Sequence, residues 1–76
     1  NYKNMNDINI KRKELISFAM FKNKINKVEL SKKLGLSYPT MLSKLNNLNT
    51  LKISEADQLC SCLSIDIVEF INPLNI

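Results

Sequence analysis

Two cysteines, Cys60 and Cys62, and a run of hydroxyl, amide and lysine side chains between Asn26 and Lys52 are where this chain could do chemistry. The cysteines stand two residues apart, which on a helix turns them about 200° from one another, so they neither pair readily nor share a metal. No histidine exists to complete a zinc set. Both thiols are expected to act as small apolar side chains, and no metal and no cofactor is implied. There is no glycine-rich phosphate loop, no nucleophile beside a base and no convergent carboxylate pair, so the chain reads as a non-enzyme. What remains is binding. Residues 1–52 hold all 11 basic side chains and three acids, for a net +8, whereas residues 53–76 hold four acids and no base, for −4. A chain polarised in this way has one part suited to a polyanion and another that a polyanion would repel.

The elements that must position these groups can be read from apolar spacing and caps. At 76 residues and 45% apolar content there is room for one domain with a modest core. No run of about 18 apolar residues could span a membrane and no secretory leader is visible, so a cytoplasmic protein is expected. The central stretch is NKVELSKKLGLSYPTMLSKLNN, Asn26 to Asn47. Val28, Leu30, Leu34 and Leu36 give one helical face, with Asn26 as its cap. Gly35, the only glycine, stands where that helix must stop in a left-handed conformation. Ser37 caps the next helix, whose apolar stripe is Met41, Leu42 and Leu45. Pro39 biases Tyr38 away from helical angles, so this helix is expected to open one residue late. So tight a turn makes the two helices cross steeply and leaves an outward face of Tyr38, Pro39, Ser43 and Lys44.

Around this pair the spacing predicts three more helices. A polar arm, residues 1–8, precedes a helix running to Asn23, with Leu15, Ile16, Ala19 and Met20 inward and Phe18 or Phe21 on its flank. Leu48 to Lys52 reads as an extended connector pinned by Leu48, Leu51 and Ile53. Ser54 is expected to cap a fourth helix, with Glu55 and Asp57 in its first turn. Asp66 opens a fifth, Ile67 to Asn72, stopped by Pro73. The fold class is all-α: five helices within residues 9–72, with 73–76 as a tail.

The run ELSKKLGLSYPTMLSKLNN followed by LKISEADQLCSCLSI resembles the lambda-repressor-like helix-turn-helix family of phage repressor and Cro proteins. The matching features are Leu30, the small Ser31, Leu34-Gly35-Leu36-Ser37, Thr40, Met41 and Asn46, and then Leu51, Ile53, Glu55, Leu59 and Leu63. The resemblance covers roughly Leu15 to Ile71. It implies a compact five-helix DNA-binding domain that places its third helix in the major groove while the second crosses the phosphate backbone. The base-reading positions fall on Tyr38, Pro39 and Ser43, with Ser37, Thr40 and Lys44 at the edge. Phosphate contacts fall on Asn26 and Lys27, with Asn47, Asn49, Lys52, Lys11 and Arg12 as further candidates. The reading helix departs from the usual pattern. It lacks the Gln, Arg or Asn that bonds two atoms of one base, and Pro39 offers only apolar contact, for example to a thymine methyl.

The tail IDIVEFINPLNI carries seven apolar residues, more than so small a domain can bury. Ile67, Phe70 and Ile71 can close the core, and the surplus suits a homodimer, with the interface expected at Val68, Phe70, Leu74 and Ile76. These readings converge on a dimeric transcriptional repressor bound to a pseudo-palindromic double-stranded DNA operator. The alternative is a protein-interaction module on the same fold, an antitoxin, antirepressor or docking domain with a regulatory protein partner.

Overall fold

Leu30, Met41 and Leu59 have no exposed surface, and Leu63 and Cys60 retain 1% and 2%. These five come from three different helices and mark the centre around which the chain closes. The computed structural model describes residues 5–73. The described residues form five α-helices and no strand, the all-α architecture expected: α1 (Met5–Asn23), α2 (Lys27–Leu34), α3 (Tyr38–Asn46), α4 (Ile53–Leu63) and α5 (Ile67–Ile71), with a 3-10 turn at Leu48–Thr50.

Helix α1 starts at Met5, so residues 5–8, expected in the arm, are helical; Asp7 in the first turn complements the helix dipole. Ile16 and Ala19 face the core, but Phe18 and Phe21, expected on the flank, are 66% and 84% exposed. The phase of α1 is set by Ile16, Ala19 and Met20 packing together. At its end Asn23 Nδ2 donates to the Ala19 carbonyl at 2.8 Å and the Leu63 carbonyl at 3.0 Å, which joins the C-terminal ends of α1 and α4. Lys24 then turns the chain in the left-handed region, at φ 56°.

Helix α2 begins and ends as its residues dictate. Asn26 Oδ1 accepts from the Glu29 backbone N–H at 2.8 Å, and Glu29 Oε1 accepts in return from the Asn26 N–H at 3.0 Å. Gly35 closes the helix at φ 70°, and the Leu36 N–H reaches back to the Ser31 carbonyl at 2.9 Å. Val28, expected on the inner face, is 45% exposed, because Leu30, Ser31 and Leu34 fill that face instead. Ser31 is 3% exposed and its hydroxyl donates to the Val28 carbonyl at 2.7 Å, so the small residue brings no unpaired polar group into the core.

Helix α3 opens at Tyr38 itself, with Pro39 in the first turn, not one residue late. Proline is tolerated there because the first-turn amides have no intrahelical partner to lose. Ser37 Oγ accepts from the Thr40 N–H at 3.3 Å and donates to Thr40 Oγ1 at 2.8 Å. The connector after α3 is a 3-10 turn, with Leu48 buried and Leu51 half-buried. Ile53, expected to pin it, is 87% exposed and begins α4. The cap of α4 is accordingly two residues earlier than Ser54: Lys52 occupies it, and Glu55 Oε1 accepts its backbone N–H at 2.9 Å. Asp66 caps α5 by accepting from the Val68 N–H at 3.1 Å.

Candidate nucleic-acid interface

The α2–Gly35–α3 unit packs through Leu30, Leu34 and Met41, and α2 also rests on α4. With Met41 fully buried, the opposite side of α3 is open: Tyr38 is 43% exposed, and Pro39, Thr40 and Ser43 are exposed with it. Ser37 is exposed at the cap, although its hydroxyl and that of Thr40 are joined to one another. Leu42 is half-buried beside this surface. Tyr38 and Ser43 therefore present the hydroxyls on α3 for which no partner is seen among the described residues, and Pro39 presents an apolar ring between them.

Lys44 does not belong to this open face. Its ammonium lies 3.0 Å from Glu55 Oε1 and donates to the Thr50 carbonyl at 3.1 Å, and its side chain is 15% exposed. It ties the last turn of α3 to the 3-10 turn and to the start of α4. The Glu55 carboxyl is held below the ordinary glutamate range, first by the Lys52 backbone N–H and then by the Lys44 ammonium.

The expected phosphate-contacting residues divide. Lys27 is exposed as the first residue of α2 and lines a groove of about 160 Å³ with Lys13, Ser17, Leu45 and Asn46. Two lysines thus line the groove where α1, α2 and α3 meet. Lys13 was missed from sequence, although it shares a helical face with Ile16 and Met20, and that spacing is the signal that would have found it. Asn26 has its Oδ1 and backbone N–H committed to the α2 cap. Asn47 accepts from the Asn49 N–H at 3.2 Å, and Asn49 in turn accepts from Asn9 of α1 at 3.5 Å. Lys52 is exposed, and Lys11 is paired with Glu14 at 3.5 Å on the surface.

Arg12, expected at a phosphate, is engaged within the fold. Its Nε donates to the Phe70 carbonyl at 2.8 Å, its Nη2 to the Ile71 carbonyl at 2.7 Å, and its guanidinium lies 5.5 Å from the Phe70 ring centre. It holds the C-terminal end of α5, where the unpaired carbonyls and the helix dipole both favour a cation, and is not free to meet a phosphate. Phe70, expected at a dimer surface, is 4% exposed in the chain's own core. Val68 is 68% exposed, and Leu74 and Ile76 lie outside the described residues. Cys60 is buried and Cys62 half-buried. Burial, aided by Asp57 and Asp66, pushes the Cys60 thiol up to about 11, so it stays protonated and unreactive at neutral pH. Among the described residues no helix is long and apolar enough to cross a membrane.

A family model described as Cro/C1-type HTH DNA-binding domain matches residues 15–73, from the middle of α1 to the end of the described chain. Neither the curated proteins nor the solved structures contain a match to this chain.

Proposed function

Because the chain belongs to the Cro/C1-type HTH DNA-binding domain family, we propose that it is a sequence-specific transcriptional regulator of the phage repressor type. In this reading α3 enters the major groove of an operator, with Tyr38, Pro39 and Ser43 against the base edges and Ser37 and Thr40 at the margin. Lys27 and Lys13 meet one phosphate run, and Asn47, Asn49 and Lys52 meet another. Two copies bind a pseudo-palindromic site whose halves lie about 34 Å apart, and block a promoter in the cytoplasm. The protein acts by binding, without a catalytic step or a cofactor.

The observation that carries this reading is the open face of α3 beside the Lys13–Lys27 groove, behind which Met41 is wholly buried. Hydroxyls and an apolar ring on a rigid helix can discriminate bases, and two lysines lining one groove supply the salt-dependent hold. The test is selection from random duplexes followed by titration of the winner and a scrambled control at two salt concentrations. A two-fold-symmetric motif bound about a thousandfold or more tightly than the control is expected. Steep salt dependence without a motif would leave a non-specific binder. No binding at low salt would move the function to protein partners.

A further inference from the structure

Helix α1 is apolar on two sides. Ile16 and Ala19 face the core, yet Phe18 and Phe21 stand 66% and 84% exposed on the other side. A second apolar patch on a helix whose first one is buried is an ordinary site of association. Beside Phe18 lies a groove of about 220 Å³, whose α1 wall is Leu15, Phe18, Ala19 and Lys22 and whose far wall sets Leu63 and Ile65 beside the polar Asn23, Ser64 and Glu69. The four α1 positions are i, i+3, i+4 and i+7, the outline of the hole that receives a knob when helices pack. An apolar cavity of about 150 Å³ holds a benzene ring, so this groove has room for a phenyl group.

A knob of that chemistry is on the same helix. Successive residues turn by about 100°, which sets Phe21 about 60° to one side of Phe18 and the hole about 50° to the other. Along the helix Phe21 stands two and a half residues, about 4 Å, beyond the middle of the hole. A two-fold axis running along α1 exchanges the two sides, and a modest crossing of the two copies of the helix takes up the offset in level. Each Phe21 then enters the groove of the other copy, with Phe18 against Phe18 on the axis. Nearer the N-terminus the same axis sets Glu14 opposite Lys11 of the second copy, and the surface pair 3.5 Å apart within one chain becomes a cluster of alternating charge. We propose that the outer face of α1 is a self-association surface, and that Phe21 of a second copy of this chain fills the groove beside Phe18. A contact centred on one helix is smaller than the about 800 Å² per partner of a standard interface, so the dimer forms reversibly with concentration. A two-fold operator takes two copies of the chain, but this association forms without DNA and is tested apart from that reading.

Sedimentation equilibrium of the full chain without DNA, over a wide concentration series, is expected to show a monomer–dimer equilibrium. Phe21→Asp, at a position too exposed to disturb the core, is expected to raise the dissociation constant by about thirtyfold or more, the effect of losing an aromatic anchor. Helical circular dichroism should stay unchanged. A chain that remains monomeric at every concentration, or a dimer that survives Phe21→Asp, overturns the proposal; loss with Val68→Asp instead would put the interface on α5.

Discussion

Lys44 sits on the helix proposed to read DNA, but its charge is spent inside the fold, on Glu55 Oε1 at 3.0 Å and the Thr50 carbonyl at 3.1 Å. Replacing it with methionine is expected to lower the thermal midpoint while leaving the salt dependence of DNA binding unchanged. Lys27→Ala, by contrast, should reduce the salt slope by about one unit, for preferred and random duplexes alike. Titration at several salt concentrations checks both, and an equal fall in slope for the two variants would put Lys44 on the phosphates after all. Glu55 supplies a pH-dependent counterpart. Its folded-state pKa is depressed, chiefly by the Lys52 N–H and next by Lys44, so its contribution is complete above the ordinary glutamate range and is lost as pH falls through the folded value. Unfolding followed against pH should show Glu55→Gln furthest below the parent at neutral pH, with the gap closing in acid. A gap that widens in acid would reverse the sign. Nothing in the local sequence distinguishes Lys44 from Lys27, because availability depends on a partner brought in by the next helix.

Helix ends were the most legible elements. Asn26, Gly35, Ser37 and Asp66 act as caps where their own chemistry places them, since capping is settled within a few residues. The phase of α1 was harder to read, because Phe18 and Phe21 offer as much apolar surface as the residues that are buried. Only the position of α4 chooses between the two faces. The cap of α4 was misplaced for a related reason. Exposed Ile53 in its first turn looks like a connector anchor until Glu55 is seen to hold the Lys52 N–H. Gly35 gives the prediction at this scale. A Cβ there would meet nothing within 4 Å, so Gly35→Ala brings no clash, only the left-handed backbone cost at φ 70°. Urea unfolding should report a loss of about 1 kcal/mol, with operator preference retained once the protein is folded. A loss several times larger would mean that the turn carries strain beyond its backbone angle.

Across the whole molecule, Arg12 joins the first helix to the last. Its guanidinium bonds two successive carbonyls of α5 and covers the Phe70 ring. Arg12→Ala should cost roughly 2 kcal/mol in urea unfolding, since hydrogen bonds from a charged donor are lost and the α5 carbonyls are left unpaired. Arg12→Lys should recover only part of this, because a single ammonium does not span both carbonyls as the planar fork does. Neither change should alter the salt slope of DNA binding, which separates this role from a phosphate contact. The helix-turn-helix pair needs no such link to be recognised, whereas a bond across 58 residues leaves no local mark on the sequence.

That bond also sets an order of events during synthesis. Of the two helices it joins, α1 emerges from the ribosome before α5, and Arg12 cannot make these bonds until the carbonyls of residues 70 and 71 have followed it out. The link between α1 and α5 therefore closes only once α5 has been made, so this contact is a late step in folding rather than one built up from α1 alone.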